Sequence, residues 1–236
     1  MSFKQYASND LNSGKIQPVG SRLLIVTAVD AERDAILRGV AKAPASRIDV
    51  IAAGVGPAAV AARTAITLAN TSYELVISAG IGGGFPLRAS IGSLVLATII
   101  VAADLGAETQ DGFLSVDELG FGSARVAVSD EWNSQLLSAL ELNGLSCVFA
   151  PIITVSSATG SASTAELRSR IVPGAAGEGM EGYGVAIAAQ QQGIPVTELR
   201  AISNPVGPRN RSAWRIGDAL KALEDASYAI ALLFPE

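Results

Sequence analysis

The chain of 236 residues contains no histidine and a single cysteine, Cys147. Without histidine it lacks both the usual general base and the commonest metal ligand, so catalytic triads and dyads built on histidine are excluded. One cysteine forms neither an intrachain disulfide nor a cysteine-rich zinc site, a usage that points to the cytoplasm. Long apolar runs are also missing: apolar residues make up 49% of the chain, but they fall in short stretches, well below the about 20 residues a membrane helix needs. There is no run of Lys or Arg and the net charge is −5, which leaves no electrostatic footprint for a nucleic-acid backbone. A small molecule is the expected partner, with neither nucleic acid nor membrane, and no metal or organic cofactor is expected.

What is present is an alternation of strands and helices. The length suits one α/β unit; residues 1–20, polar and without a signal-like apolar core, read as a loose tail, and 21–236 as a single catalytic domain. Strand patterns at 22–27, 48–53 and 75–79 are separated by helical ones at 31–37 and 58–69, with Pro57 suited to a first helical turn. A β-rich run spans 93–103. A helix at 130–143 opens on an Asp130 cap and closes near Gly144. Strand 148–155, helices 164–171 and 183–192, strand 196–202 and a closing helix 214–233 complete the order. This alternation predicts a three-layer α/β/α sandwich around a mostly parallel, mixed sheet. Ligands of such sheets bind at the carboxyl ends of the strands, here 28–32, 80–84, 156–160, 179–181 and 203–207.

Each candidate in those segments has a plain alternative. The run Gly80, Ile81, Gly82, Gly83, Gly84 suits close approach of a ligand to the backbone, or a tight turn; it matches neither the dinucleotide fingerprint nor the P-loop. Glu32 and Glu181 sit at helix starts, where acids also serve the macrodipole. Met180 fits a core position, and Ser203 and Asn204 before Pro205 fit a turn. Arg200 within an apolar strand is harder to dismiss, because a buried guanidinium needs partners.

Taken together, the order of these motifs from Arg22 to Leu233 resembles the purine nucleoside phosphorylase and nucleosidase superfamily. Thr27 to Glu32 looks like the first strand and acidic turn of the methylthioadenosine/S-adenosylhomocysteine nucleosidases, and Gly54 to Gly56 and Ser78 to Gly84 look like their glycine-bearing segments. Glu178 to Glu181 is similar to their Met-Glu ribose motif, and Arg200 to Asn204 to their Arg-x-x-Ser-Asp motif. Two departures stand out: Asn204 replaces the aspartate used on adenine, and Ile81 stands where those enzymes have serine. Ser203 to Arg211 and Ser156 to Gly160 resemble the futalosine hydrolase subgroup, whose members release hypoxanthine in an alternative menaquinone pathway.

The resemblance implies cleavage of an N-glycosidic bond, in which positive charge develops on the sugar and negative charge on the departing base. It places Glu32 below the anomeric carbon as the base for water and Asn204 on the purine as the second catalytic residue. Glu181 would accept from the ribose hydroxyls, Met180 would pack on the sugar and Arg200 would orient the carboxylates. Gly80, Ile81, Gly82, Gly83 and Ser203 complete the expected substrate contacts. Arg209 or Arg211 would meet a 5′ carboxylate or, equally, be solvated in a loop. The resemblance further implies a homodimer. A phosphorylase would need a cationic phosphate clamp where Ala28 to Glu32 offers acids. A nucleoside-binding protein without activity would have no need of Glu32.

Overall fold

The computed structural model describes residues 22–110 and 112–236. The tail expected over 1–20 lies outside them. The elements run β1 (Leu23–Thr27), α1 (Asp30–Val40), β2 (Ile48–Ala52), α2 (Pro57–Asn70), β3 (Leu75–Gly84), β4 (Leu94–Ala102), β5 (Gly106–Thr109), β6 (Gly112–Ser115), α3 (Val116–Leu119), β7 (Arg125–Ala127) and α4 (Asp130–Leu142). They continue through β8 (Cys147–Thr154), α5 (Ala162–Ile171), β9 (Gly177–Gly179), α6 (Gly182–Gln191), β10 (Val196–Pro205) and α7 (Ile216–Ala231).

The apolar strands are buried on both faces, as their near-continuous hydrophobic sequences require. Leu23 and Ile25 of β1 join Ile36, Leu136 and Leu223 from α1, α4 and α7 in one core. Leu24 and Val26, pointing the other way, join Val60 and Val185 from α2 and α6 in a second. Helices thus cover both sides of a mixed sheet. Its pairings β1–β2, β1–β3, β3–β10, β4–β8 and β8–β9 are parallel, and β4–β10, β3–β9 and β4–β7 are antiparallel.

The sheet also closes on itself. β3 pairs with β10 along most of its length, Gly83 and Gly84 included, and on its other edge, beyond the end of β1, those two residues also pair with Glu178 and Gly177 of β9. The circuit β3, β10, β4, β8, β9 and back to β3 gathers the carboxyl ends of β3, β8 and β10 around one opening. The plain sandwich expected from sequence therefore gains a barrel-like end.

Three local readings change. The glycine run 80–84 is strand throughout rather than turn, because β10 pairs along the whole run and β9 joins its other edge at Gly83 and Gly84. Helix α4 is capped by Ser129, whose hydroxyl accepts from the Trp132 amide, so Asp130 is its first residue and not its cap. The hairpin β5–β6 and the short strands β7 and β9 have no counterpart in the sequence reading; β9, Gly-Glu-Gly, has no strand propensity of its own and is held by its two neighbours.

Candidate active site

A cavity of about 240 Å³ opens where these strand ends meet. Its wall contains Glu32, Ile81, Gly82, Gly83, Met180, Glu181, Ser203, Asn204 and Arg209 together, so nine expected site residues from four separate segments share one space. Gly80 and Arg200 are buried behind that wall, and Arg211 lies outside it.

Glu32 enters from the first turn of α1. Its Oε2 accepts from the amides of Ala28 (3.0 Å) and Val29 (3.3 Å), and Oε1 from the amide of Ile81 (2.9 Å). Backbone donors from β3 and from the turn ahead of α1 thus fix the carboxylate. Burial pushes its pKa above the ordinary glutamate value, and neither Arg200 nor the Ile81 amide fully offsets that.

Glu181 stands at the N-terminus of α6. Its Oε1 accepts from the amide of Gly56 at 3.2 Å, and Oε2 meets Arg200 Nη1 at 3.2 Å. Gly56 holds φ at 90° ahead of Pro57, a conformation open to glycine, and this aims its N–H across to α6.

Arg200 links the carboxylates from within. It is 1% exposed, and donates from Nε to Glu198 at 2.8 Å and from Nη2 to Ser78 Oγ at 3.3 Å, besides its bond to Glu181. The glycines of β3 and β9 make room for it. A Cβ on Gly80 would lie 2.6 Å from its Nη1 and 2.7 Å from Glu32 Oε1, and one on Gly179 would lie 2.8 Å from its Cζ. These glycines serve close approach of the protein's own guanidinium, not backbone twist. Burial works against the charge on Arg200, but Glu198, Glu181 and Glu32 more than offset it and hold its pKa above the usual value.

On the opposite side of the cavity, β10 carries a bulge. Ile202 pairs with Gly82 and Asn204 with Gly83, which leaves Ser203 as the extra residue. Ser203 Oγ lies 2.8 Å from Asn204 Oδ1, and Asn204 Nδ2 donates to the Pro205 carbonyl at 3.0 Å. A reversed amide would set its oxygen against that carbonyl. The observed orientation keeps the second N–H hydrogen of Asn204 free to donate.

Several residues had no role in the sequence reading. Thr159 lines the cavity with Glu178, which accepts from the Thr159 amide at 2.8 Å and pairs with the buried Arg168 at 3.0 Å. Arg168 also donates to the Ser157 carbonyl, so this ion pair pins the loop after β8. Trp214 lines the mouth, flanked by the guanidinium carbons of Arg209 at 5.5 Å and Arg211 at 5.9 Å from its ring centroid. Glu198 is completely buried. A carboxylate two residues before Arg200, on the same face of a strand, was the available signal.

The phosphorylase superfamily model matches residues 37–234. Futalosine hydrolase of Streptomyces coelicolor is 49% identical over 224 residues, covering 86% of this chain and 92% of that protein. Futalosine hydrolase of Acidothermus cellulolyticus is 42% identical over 218 residues, covering 88% and 89%. Among solved structures, the 5′-methylthioadenosine/S-adenosylhomocysteine nucleosidase of Helicobacter pylori superposes with a TM-score of 0.75 at 18% identity, covering 92% of this chain and 97% of that one, a likeness of fold.

Proposed function

The chain belongs to the phosphorylase superfamily and, within it, to the futalosine hydrolases, and from that premise we propose that it hydrolyses the N-glycosidic bond of futalosine, releasing hypoxanthine within menaquinone biosynthesis. The observation that carries the reading is the pairing of two fixed carboxylates, Glu32 and Glu181, with a neutral amide, Asn204, around one cavity. Water attacks the anomeric carbon as the bond to the purine nitrogen breaks; the electron pair leaves with the base. Glu32 takes the proton from water, and its raised pKa makes it a stronger base than an ordinary glutamate. Glu181 accepts from the ribose hydroxyls and, being anionic, favours positive charge on the sugar. Met180 packs on the sugar face. The free N–H of Asn204 donates to O6 or N7 of a 6-oxopurine. Trp214 and Arg209 at the mouth suit an aryl group bearing a carboxylate, the ring by stacking and the guanidinium by charge.

The chain is read as one catalytic unit over 21–236, acting in the cytoplasm; among the described residues no helix is long and apolar enough to cross a membrane. We also infer a homodimer. Val29 and Val55, 42% and 55% exposed, stand at the rim of the cavity, where a second copy would cover apolar surface beside the substrate. Sedimentation at the mass of one chain would count against this.

The deciding experiment incubates the protein with futalosine, aminodeoxyfutalosine, inosine and methylthioadenosine and measures free purine. Fastest release from futalosine is expected. Release only from methylthioadenosine would return the chain to the adenine-specific nucleosidases, and binding without release would make it a nucleoside-binding protein.

A further inference from the structure

Three carboxylates, Glu32, Glu181 and Glu198, converge on the single guanidinium of Arg200, and the first two line the cavity. The third has no access to it. Glu198 is 0% exposed, on β10 opposite Ser78 of β3, and its Oε1 takes the Nε hydrogen of Arg200 at 2.8 Å. Its other oxygen, Oε2, has no hydrogen-bond partner among the described residues and packs against Gly182 at the start of α6, where a Cβ would come within 1.9 Å of it. Burying a carboxylate with half its hydrogen bonding unmet costs stability, and an apolar strand residue would avoid that cost.

We propose that Glu198 is a positioning residue for the hydrolysis: it anchors the Nε edge of Arg200 so that Nη1 stays on Glu181 and the ribose-binding carboxylate keeps its place.

The geometry explains why an anchor is needed. Guanidinium donors come in a rigid fork, so fixing Nε fixes the direction of both Nη groups. The other contacts of Arg200 are weaker, 3.3 Å to Ser78 Oγ and 3.5 Å to the Ile81 carbonyl. Gly80 and Gly179 leave it space but no directional bond. Without Glu198, the guanidinium is free to rotate towards Glu181 and Glu32, and Glu181 then turns from the sugar to accept a second N–H. Gly182, by carrying no Cβ, leaves the space that the Glu198 carboxylate fills. Burial pushes the pKa of Glu198 up, and Arg200 works against that shift.

The inference rests on the reading of Glu181 as the ribose carboxylate, and its test separates the two. Turnover of futalosine is compared for wild type, Glu198→Gln, Glu198→Asp and Glu198→Leu, with product inhibition by hypoxanthine and by the base-free sugar product. Gln keeps an acceptor at Nε and loses no partner on the Oε2 side; Asp keeps the charge but falls one methylene short. Gln is therefore expected to stay near wild type. Asp and Leu should lower kcat about tenfold or more, within the hundredfold that an ångström of misplacement costs. They should also weaken the sugar product by a similar factor and leave hypoxanthine inhibition unchanged. A merely structural role would lower Tm and weaken both products alike, or neither, and that result overturns the proposal. So does an Asp variant as active as the Gln variant, which decides the matter if the Leu variant does not fold. Wild-type turnover in Glu181→Gln would instead overturn the ribose reading beneath it.

Discussion

Glu32 is taken out of water yet receives three backbone N–H bonds, and the balance of the two sets its chemistry. Burial outweighs the stabilisation by Arg200 and the amides, so its folded pKa lies above 4.5. In the proposed mechanism the charged form is the base. Activity is therefore lost as pH falls through that raised value, and the acid limb of kcat/KM should lie above pH 4.5. Glu32→Gln should keep the fold, bind product, and lose on the order of 10² or more in turnover, the range for a general base. Near-normal turnover would remove Glu32 from the mechanism. Across the cavity, Asn204 is held by Ser203 and by the Pro205 carbonyl so that it offers a donor. An unpaired buried polar group costs about 1–3 kcal/mol, so futalosine should exceed its 6-amino analogue in kcat/KM by at least roughly tenfold. Asn204→Asp should shrink or reverse that ratio, and an unchanged ratio would show that discrimination lies elsewhere. The place of both residues in the cavity was legible from the motif order. Glu198 was not, because its meaning depends on α6 arriving from another part of the chain to bury it.

The glycine-bearing strands carry the site by what they omit. β3 and β9 bring Gly80 and Gly179 against the buried Arg200, and a methyl group at Gly179 would sit 2.8 Å from its Cζ with β3 and β10 leaving no retreat. Gly179→Ala should therefore displace the guanidinium. Overpacking of this kind costs about 1–3 kcal/mol, and the expected result is a folded protein of lower Tm whose kcat falls through Arg200 and Glu181. Unchanged kcat in that variant would mean that Arg200 is not a fixed part of the site. At this scale the sequence was readable where apolar runs are long: β1, β2, β4, β8 and the first half of β10 fall within a residue or two of expectation. It was unreadable where strand formation is imposed from outside. β9 and residues 80–84 are poor strand formers that pair because their neighbours are in place, and the bulge at Ser203 appears only once β10 is in register with β3.

Over the whole molecule, alternation of strands and helices was enough to expect a covered mixed sheet, but not its closure, since nothing local marks that β9 follows β1 along the second edge of β3. That closure bears on the proposed nucleophile, because it determines which charges line the cavity. Three acids, Glu32, Glu178 and Glu181, line the cavity, and Arg209 is the cation among its lining residues. Arg168 is committed to Glu178, and Arg200 to Glu181 and Glu198. Arg209 lies beside Trp214. A phosphate ion placed to attack the anomeric carbon would meet the Glu32 carboxylate, whose charge is only partly offset by the buried Arg200 that it shares with Glu181 and Glu198. Two like charges about 4 Å apart repel by about 4 kcal/mol at an effective dielectric of 20, before the phosphate's second charge is counted. Water carries no such penalty and, in the proposed mechanism, gives up its proton to the same carboxylate. Hypoxanthine release from futalosine should therefore proceed in phosphate-free buffer, added phosphate should not accelerate it, and the sugar should leave with a free 1-hydroxyl rather than a 1-phosphate. Phosphorus NMR of the product mixture distinguishes the two. A sugar 1-phosphate formed in proportion to released base would mean that a cation reaches the anomeric carbon in the working enzyme, and Arg209 would be the first residue to replace.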